Sequence, residues 1–196
     1  MKVTKKGFMF LVLIMLHLLI VISISLLTTT TSVERSIVRV MGLSAFIILF
    51  YAATITLFQK SVVFHLGKKF VKVHHAFVFT GFSLLLIHGI TYAIVLSSGL
   101  TIEPWTIFSM IGDTCAIIAI IAAFKRKSWT KIWRWIHMLI YVTILSIALH
   151  AISGGTDLTT PVIFGIHVFM LAALVIIFIL KRWQQFRRKM FASIED

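Results

Sequence analysis

The sequence predicts an all-α, polytopic membrane protein, a six-transmembrane-helix bundle with both termini cytoplasmic. Of its 196 residues, 60% are hydrophobic and 13% are charged, whereas a soluble domain holds roughly 45–50% apolar and about 25% charged residues. A core of this chain length cannot enclose so much apolar surface. We therefore expect most of that surface to face membrane lipid.

Six apolar runs come close to the ~20 residues that a helix needs to cross about 30 Å of hydrocarbon. The predicted spans are residues 7–27, 37–58, 73–97, 105–124, 133–152 and 162–180. The first run follows three lysines, as a signal peptide does, but it exceeds the roughly 7–15 residues of a signal core and lacks a clear cleavage site. We expect it to be retained. No linker or low-complexity tract divides residues 1–196, which are predicted to form a single domain.

The basic residues predict which side of the membrane each connection faces. Seventeen of the 19 Lys and Arg residues lie before the first span, in the second and fourth connections, and after the sixth span. The opposite side carries Arg35 and Arg39, with the acidic residues Glu34, Glu103 and Asp157. Because cytoplasmic loops carry the excess of positive charge, both termini are predicted to be cytoplasmic. No nucleic-acid partner is expected, since these charges lie between apolar runs rather than on one basic face.

Several cofactor classes lack their sequence signatures. Cys115 is the single cysteine, which excludes an internal disulfide and any Cys-ligated zinc or iron–sulfur site, because those need several thiolates. Neither a G-x-G-x-x-G motif after a strand nor a G-x-x-x-x-G-K-[ST] motif occurs. Sixteen residues follow Leu180, too few for a nucleotide-binding domain. We expect flavin or NAD(P)H chemistry only through a partner.

Four histidines form a pattern in the third and fifth spans, which run in the same direction. His74 and His88 lie about 21 Å apart along a helix, and His137 and His150 about 20 Å apart. If the two helices are neighbours, they present one His pair near each leaflet. Such pairs fit two six-coordinate b-type haems, with His74, His88, His137 and His150 as axial ligands of the iron. His75 is the alternative inner ligand.

The helical angles between these histidines do not match. At ~100° per residue, His74 and His88 nearly eclipse, whereas His137 and His150 lie about 140° apart. Tilt, a π-bulge or opposing ring rotamers would reconcile the two spans. Interhelical hydrogen bonding is the competing role for each histidine, and a bare metal site is disfavoured because the pairs lack a nearby carboxylate or thiolate.

At these residues the chain resembles the ferric reductase-like transmembrane domain, which is related to NADPH oxidases and to the haem subunits of bacterial sulfoxide reductases. In the third span, His74 and His88, fourteen residues apart, match the two histidines of the family pattern, and His75 stands at the family's basic position. The fifth span is similar at Trp133, Arg134, His137, Tyr141 and His150. Departures from the family pattern are Val78 for Gly, Ile136 for Leu and Met138 for a basic residue.

This resemblance implies a haem-containing transmembrane oxidoreductase, or the membrane subunit of one, in the cell membrane of a bacterium. Two haem b groups would carry electrons from the inner pair, His74 and His137, to the outer pair, His88 and His150. The donor would be a cytoplasmic flavin reductase or a membrane quinol. The acceptor would be ferric iron, oxygen or an extracytoplasmic redox protein. The alternative is a haem-free transporter or scaffold subunit that uses intramembrane His and Asp for protons or metal.

Other polar residues in or near the spans have less certain roles. Asp113 is expected either to relay a proton or bond a haem group, or to bond Thr114 or a neighbour. His17 and His167 have no partner matched in depth, so structural roles are expected. His65 is predicted to be solvated, in a short amphipathic helix on the inner leaflet.

The charge partition predicts the topology directly. Reporter fusions after Thr30, Gly99 and Gly155 should all report the extracytoplasmic side, because each site lies in a connection with few basic residues. The side of each fusion site is measured with two reporters, one that is active only outside the cytoplasm and one that is active only inside it. Fusions after Thr30 and Gly99 that report opposite sides would contradict the six-span assignment.

Overall fold

The computed structural model describes residues 3–28, 32–97, 104–154 and 161–192. Of the described residues, 89% are helical and none lies in a strand. The α-helices are α1 Lys5–Thr28, α2 Val33–Thr54, α3 Gln59–Leu66, α4 Phe70–Ser97, α5 Thr106–Phe124, α6 Trp133–His137, α7 Leu139–Gly154 and α8 Pro161–Ala192. A short 3₁₀ turn at Lys125–Lys127 follows α5. Glu103 and Asp157, which the charge argument uses, lie outside the described residues.

Six stretches of helix are long and apolar enough to cross a membrane, which confirms the predicted all-α, six-span fold class. The protein is therefore multi-pass. The cytoplasmic location of both termini stays a prediction. The second span ends at Thr54 rather than at residue 58, because the chain turns at residues 55–57 before α3. The sixth span was predicted to end at Leu180, but α8 continues as one helix to Ala192. The fifth span is divided at Met138 into α6 and α7.

The predicted amphipathic helix is α3, and it is fixed to the start of the chain. Gly67 ends α3 in the left-handed conformation with φ 63°, which favours glycine. The Thr4 backbone N–H donates to the His65 carbonyl at 2.9 Å, and the Thr4 hydroxyl lies 3.0 Å from His65 Nδ1. The prediction that His65 is solvated was wrong, because its side chain is half-buried in this junction.

Helix α2 lies at the centre of the bundle. Every residue of its 43–50 segment is buried, as expected for a helix that is apolar on all sides and surrounded by protein. It packs against α1, α4, α7 and α8. The other long helices expose large apolar side chains such as Leu13, Ile90, Ile107 and Phe169, which is the surface expected to face lipid.

Two antiparallel helix pairs form the framework. Helix α4 packs along α2, and α7 packs along α5, whereas α4 and α7 are not a closely packed pair over the described residues. In each helix pair, a glycine lies where the two helices approach closely. A Cβ at Gly81 of α4 would lie 2.8 Å from Leu49 of α2, and one at Gly112 of α5 would lie 3.2 Å from Ser146 of α7. Small residues let membrane helices approach closely enough to pack.

Gly81→Ala should destabilise the protein, because its methyl group would overlap Leu49 in the α2–α4 contact. Overpacking of this kind costs about 1–3 kcal/mol. Gly165→Ala is the control, since a Cβ at Gly165 meets no atom within 4 Å and alanine favours helix over glycine. Thermal unfolding in detergent should show a lower midpoint for Gly81→Ala and an unchanged or higher one for Gly165→Ala. Equal midpoints would contradict the close approach.

Candidate functional site

The two predicted histidines of α4 are held by carbonyls of α2. His74 Nδ1 lies 3.1 Å from the Ala52 carbonyl oxygen, and His88 Nδ1 lies 2.7 Å from that of Val38. A carbonyl oxygen only accepts hydrogen bonds, so Nδ1 must carry the proton in both rings. In the neutral imidazole, the lone pair is then on Nε2.

The two predicted histidines of the fifth span are held in the same way by the region of α5. His137 Nδ1 lies 3.1 Å from the Ala119 carbonyl oxygen, and His150 Nδ1 lies 3.2 Å from that of Trp105, directly before α5. Val38 and Ala52 are fourteen positions apart, and so are Trp105 and Ala119. The two helix pairs therefore repeat one construction, a ring on one helix held by a carbonyl of its partner.

None of these four rings has a hydrogen-bond partner at Nε2 within the described residues. The four Nε2 atoms are also absent from the buried polar atoms without a partner, which in the described chain are Thr106 Oγ1 and Asp113 Oδ1. Each Nε2 is therefore accessible. In a metal-ligating histidine, the ring nitrogen that does not bind the metal usually donates a hydrogen bond, which fixes the tautomer and the ring orientation. The bond to the carbonyl has the same effect here.

The four histidines lie within electrostatic range of one another in two pairs. His74 and His137 are close enough for their charged forms to interact electrostatically, and so are His88 and His150. We refer to them as the inner pair and the outer pair, after the predicted topology. His74 and His88 lie on α4, His137 on α6 and His150 on α7, and α4 and α7 are not a closely packed pair over the described residues.

His75 differs from His74 in its surroundings. The two rings lie 6.2 Å apart, but His75 is exposed and its ring meets the edge of Phe79 at 5.9 Å. Among the described contacts of His75 there is no carbonyl bond that would fix the ring. These contacts favour His74 over His75 as the inner ligand.

The division at Met138 reduces the angular mismatch between His137 and His150. Met138 N–H donates to both Arg134 and Trp135 carbonyls, and Tyr141 N–H donates to the Met138 carbonyl three residues earlier. A residue in such a 3₁₀ turn advances by about 120° instead of about 100°, so three tightened residues lower the offset from about 140° to about 80°. A tightened helix break, rather than a π-bulge, is thus the observed local feature.

Glycines make room for the outer pair. A Cβ at Gly42 would lie 3.0 Å from two atoms of the His88 ring, and Gly42 is one turn after Val38, whose carbonyl holds that ring. A Cβ at Gly154 would overlap the Trp105 ring, which belongs to the residue whose carbonyl holds His150. Glycine at both positions lets the ring and the acceptor carbonyl come together.

Two cations of α8 lie beside the inner pair. Lys181 is within electrostatic range of both His74 and His137. The Arg182 guanidinium lies 5.2 Å from the Trp135 ring centroid and 5.5 Å from that of Phe178. From the sequence, both residues are predicted only to mark the cytoplasmic side. No spacing rule could assign them to the site, because α8 is far from the histidines in sequence.

Asp113 does not make the bond with Thr114 that was one of its two expected roles. The Thr114 hydroxyl donates to the Met110 carbonyl at 2.8 Å, whereas Asp113 Oδ1 is buried without a partner. A buried, unpaired carboxyl oxygen in a membrane span is costly and commonly marks function.

His17 and His167 lie away from the four histidines of the two pairs, in a separate polar cluster. His17 Nδ1 is 3.0 Å from the Tyr51 hydroxyl. His167 is buried, bonds the Ile163 carbonyl of its own helix at 2.9 Å, and stacks on Phe46 with ring centroids 5.1 Å apart. His17 and His167 are themselves within electrostatic range.

Nowhere in the described ranges do three His, Cys, Asp or Glu side chains gather as they would around a bare metal ion. No family model, curated protein or solved structure matches the chain. The resemblance to the ferric reductase-like domain therefore stays a prediction. The support for a function comes from the geometry of the histidines.

Proposed function

We propose that this protein transfers electrons across the membrane through two bis-histidine b-type haems. The observation that supports the proposal most is the common state of His74, His88, His137 and His150. Each ring donates Nδ1–H to a backbone carbonyl and keeps Nε2 accessible. Four imidazoles, each held by a backbone carbonyl and arranged in two pairs, match the donor set of two six-coordinate haems.

Other side chains near the pairs fit the same group. Haem b carries two propionate carboxylates, and the positive charges of Lys181 and Arg182 lie at the inner end where anionic groups need partners. The orphaned polar atoms Thr106 Oγ1 and Asp113 Oδ1 are on α5, the helix that holds His137 and His150. These atoms would gain partners from a polar group placed against α5.

In this proposal the haem iron supplies the one-electron chemistry when bound. The chain supplies the rest. Carbonyls of α2 and α5 keep the ligand rings oriented, the apolar helices exclude water, and the buried segment 43–50 of α2 separates the site from the α1 side. The protein is in these terms an oxidoreductase, or its membrane subunit, in a bacterial plasma membrane.

Donor and acceptor follow from the side on which each pair lies. The inner pair would receive electrons from a cytoplasmic flavin reductase or a membrane quinol, and the outer pair would pass them to ferric iron, oxygen or an extracytoplasmic redox protein. One observation favours the second candidate function, a haem-free transporter or scaffold, namely the unpaired Asp113 Oδ1. A proton path would use such a group.

The absorption spectrum of the purified protein, reduced minus oxidised, separates the two functions. We expect sharp b-type bands. His74→Ala or His137→Ala should remove one haem and His88→Ala or His150→Ala the other, because an axial ligand is lost. His75→Ala is the matched control and should retain both haems, since its ring lacks the carbonyl bond. A featureless wild-type spectrum in protein expressed with adequate haem would contradict the proposal.

Gly42→Ala tests whether Gly42 positions His88, a proposed ligand of the outer haem. Its methyl group would push against the His88 ring and weaken the 2.7 Å bond to the Val38 carbonyl, so the outer haem should be bound more weakly, by roughly 10–100-fold for a lost outer-shell partner. The control is Gly89→Ala, adjacent to His88, where a Cβ meets nothing within 4 Å. Haem titration should show weakened binding for Gly42→Ala alone. Equal effects of the two substitutions would show that the Gly42 contact does not position His88.

A further inference from the structure

A hydrogen-bonded His–Tyr pair joins α1 to the bundle's central helix, α2. His17 of α1 and Tyr51 of α2 are both half-buried, and His17 Nδ1 is 3.0 Å from the Tyr51 hydroxyl. Phe10 and Phe50 place their edges against the Tyr51 ring, with centroids 6.2 and 5.4 Å away. The polar pair is therefore packed against aromatic side chains.

His17 lies at the edge of the lipid-facing surface of α1. Its neighbours one helical turn away are Leu13 and Ile20, which are 59% and 53% exposed, and Ile14 and Val21, which are buried. In a membrane-spanning helix, exposed apolar side chains contact acyl chains. A ligand dissolved in the bilayer therefore approaches His17 from the side of Leu13 and Ile20.

The pair also lies next to the inner histidine through the backbone of α2. Tyr51 directly precedes Ala52, whose carbonyl accepts the Nδ1–H of His74. The Tyr51 side chain and the Ala52 carbonyl therefore belong to adjacent residues in the last turn of α2.

We propose that His17 and Tyr51 bind the head group of a membrane quinol that reduces the inner haem, an inference that rests on the proposed function. A quinol is soluble in lipid, presents hydroxyl groups to hydrogen-bonding partners and carries a flat ring suited to aromatic contacts. In the tautomer in which His17 Nδ1–H donates to Tyr51, the Nε2 lone pair of His17 accepts a quinol hydroxyl proton. Phe10, which is half-buried and packs against Tyr51, meets the quinol ring.

The chemistry balances with the two haems as oxidants. One quinol loses two electrons and two protons and becomes a quinone. Each electron reduces one ferric iron to ferrous. Each proton passes from a quinol hydroxyl to His17 Nε2 and is then released to water, so the imidazole is neutral again before the second transfer.

Other polar groups near His17 are contributed by two elements. Tyr51 comes from α2, and His167 comes from α8, where it is buried and within electrostatic range of His17.

The variants that test this site are His17→Ala and Tyr51→Phe, with Tyr92→Phe as the matched control. Tyr51→Phe keeps the ring and removes only the hydroxyl, so it guards against a folding defect. Tyr92 is a half-buried tyrosine of α4, remote in sequence from the cluster. Haem content is measured first in every variant, from the reduced-minus-oxidised spectrum.

Two readouts then follow with wild type and variants in lipid nanodiscs. Stopped-flow mixing with decylubiquinol should reduce haem about tenfold more slowly in both site variants, as expected when one hydrogen bond to the quinol is lost. Reduction by dithionite should be unchanged. A photoreactive quinone analogue should cross-link to α1 or α2 near residues 10–17 or 50–51 in wild type and less in the variants.

The outcomes distinguish the site from the proposed function. A wild-type protein without haem bands defeats the proposed function, and the cross-link map still decides whether the quinone site exists. Full haem content with unchanged quinol kinetics in both variants, or cross-links that map elsewhere, overturns the inference. Haem reduction that requires NADH and a flavin reductase, with no response to quinol, also overturns it.

Discussion

The arrangement depends on one interaction repeated four times, the hydrogen bond from a histidine Nδ1 to a backbone carbonyl of the partner helix. In lipid, a polar side chain without a partner is costly, and helix carbonyls are the acceptors that a packed helix pair offers. Ala52 lies in the last turn of α2, where carbonyls lack helical N–H partners, and Val38 is exposed to His88 because Gly42 has no side chain. The same bonds that tie α4 to α2 and α7 to α5 leave four Nε2 atoms in a common state.

Hydrogen bonding between helices does not by itself account for this state. A histidine that only ties two helices can use either nitrogen, and its orientation need not match that of a ring on another helix pair. Here all four rings use Nδ1 to bond a carbonyl of a neighbouring helix, or of the residue directly before one, and they form two pairs. His167, in contrast, bonds a carbonyl of its own helix and is packed on Phe46. His167 is thus a buried histidine that packs in the core, whereas the other four are held with Nε2 accessible.

The sequence predicts the helices and the depth of the histidines, because apolar run length and rise per residue are local properties. It does not predict which helix holds which ring. The Ala52 and Val38 carbonyls carry no side-chain signal, and the role of Gly42 depends on how closely α4 approaches α2. The break at Met138 was also not predicted, since a run of apolar and aromatic residues is compatible with continuous helix. Lys181 reaches the inner pair only through the packing of α8.

Helix α2 explains how one small bundle can serve two kinds of contact. Its buried segment 43–50 forms the wall of the core, while its last turn offers the Ala52 carbonyl to His74 on one side and the Tyr51 hydroxyl to His17 on the other. A change that shifts this turn must therefore disturb both neighbours together, whereas removing the Tyr51 hydroxyl alone disturbs the His17 side and leaves the carbonyl in place. That separation of backbone and side-chain roles is what allows the lipid-facing pair to be altered without loss of the histidine that α2 supports.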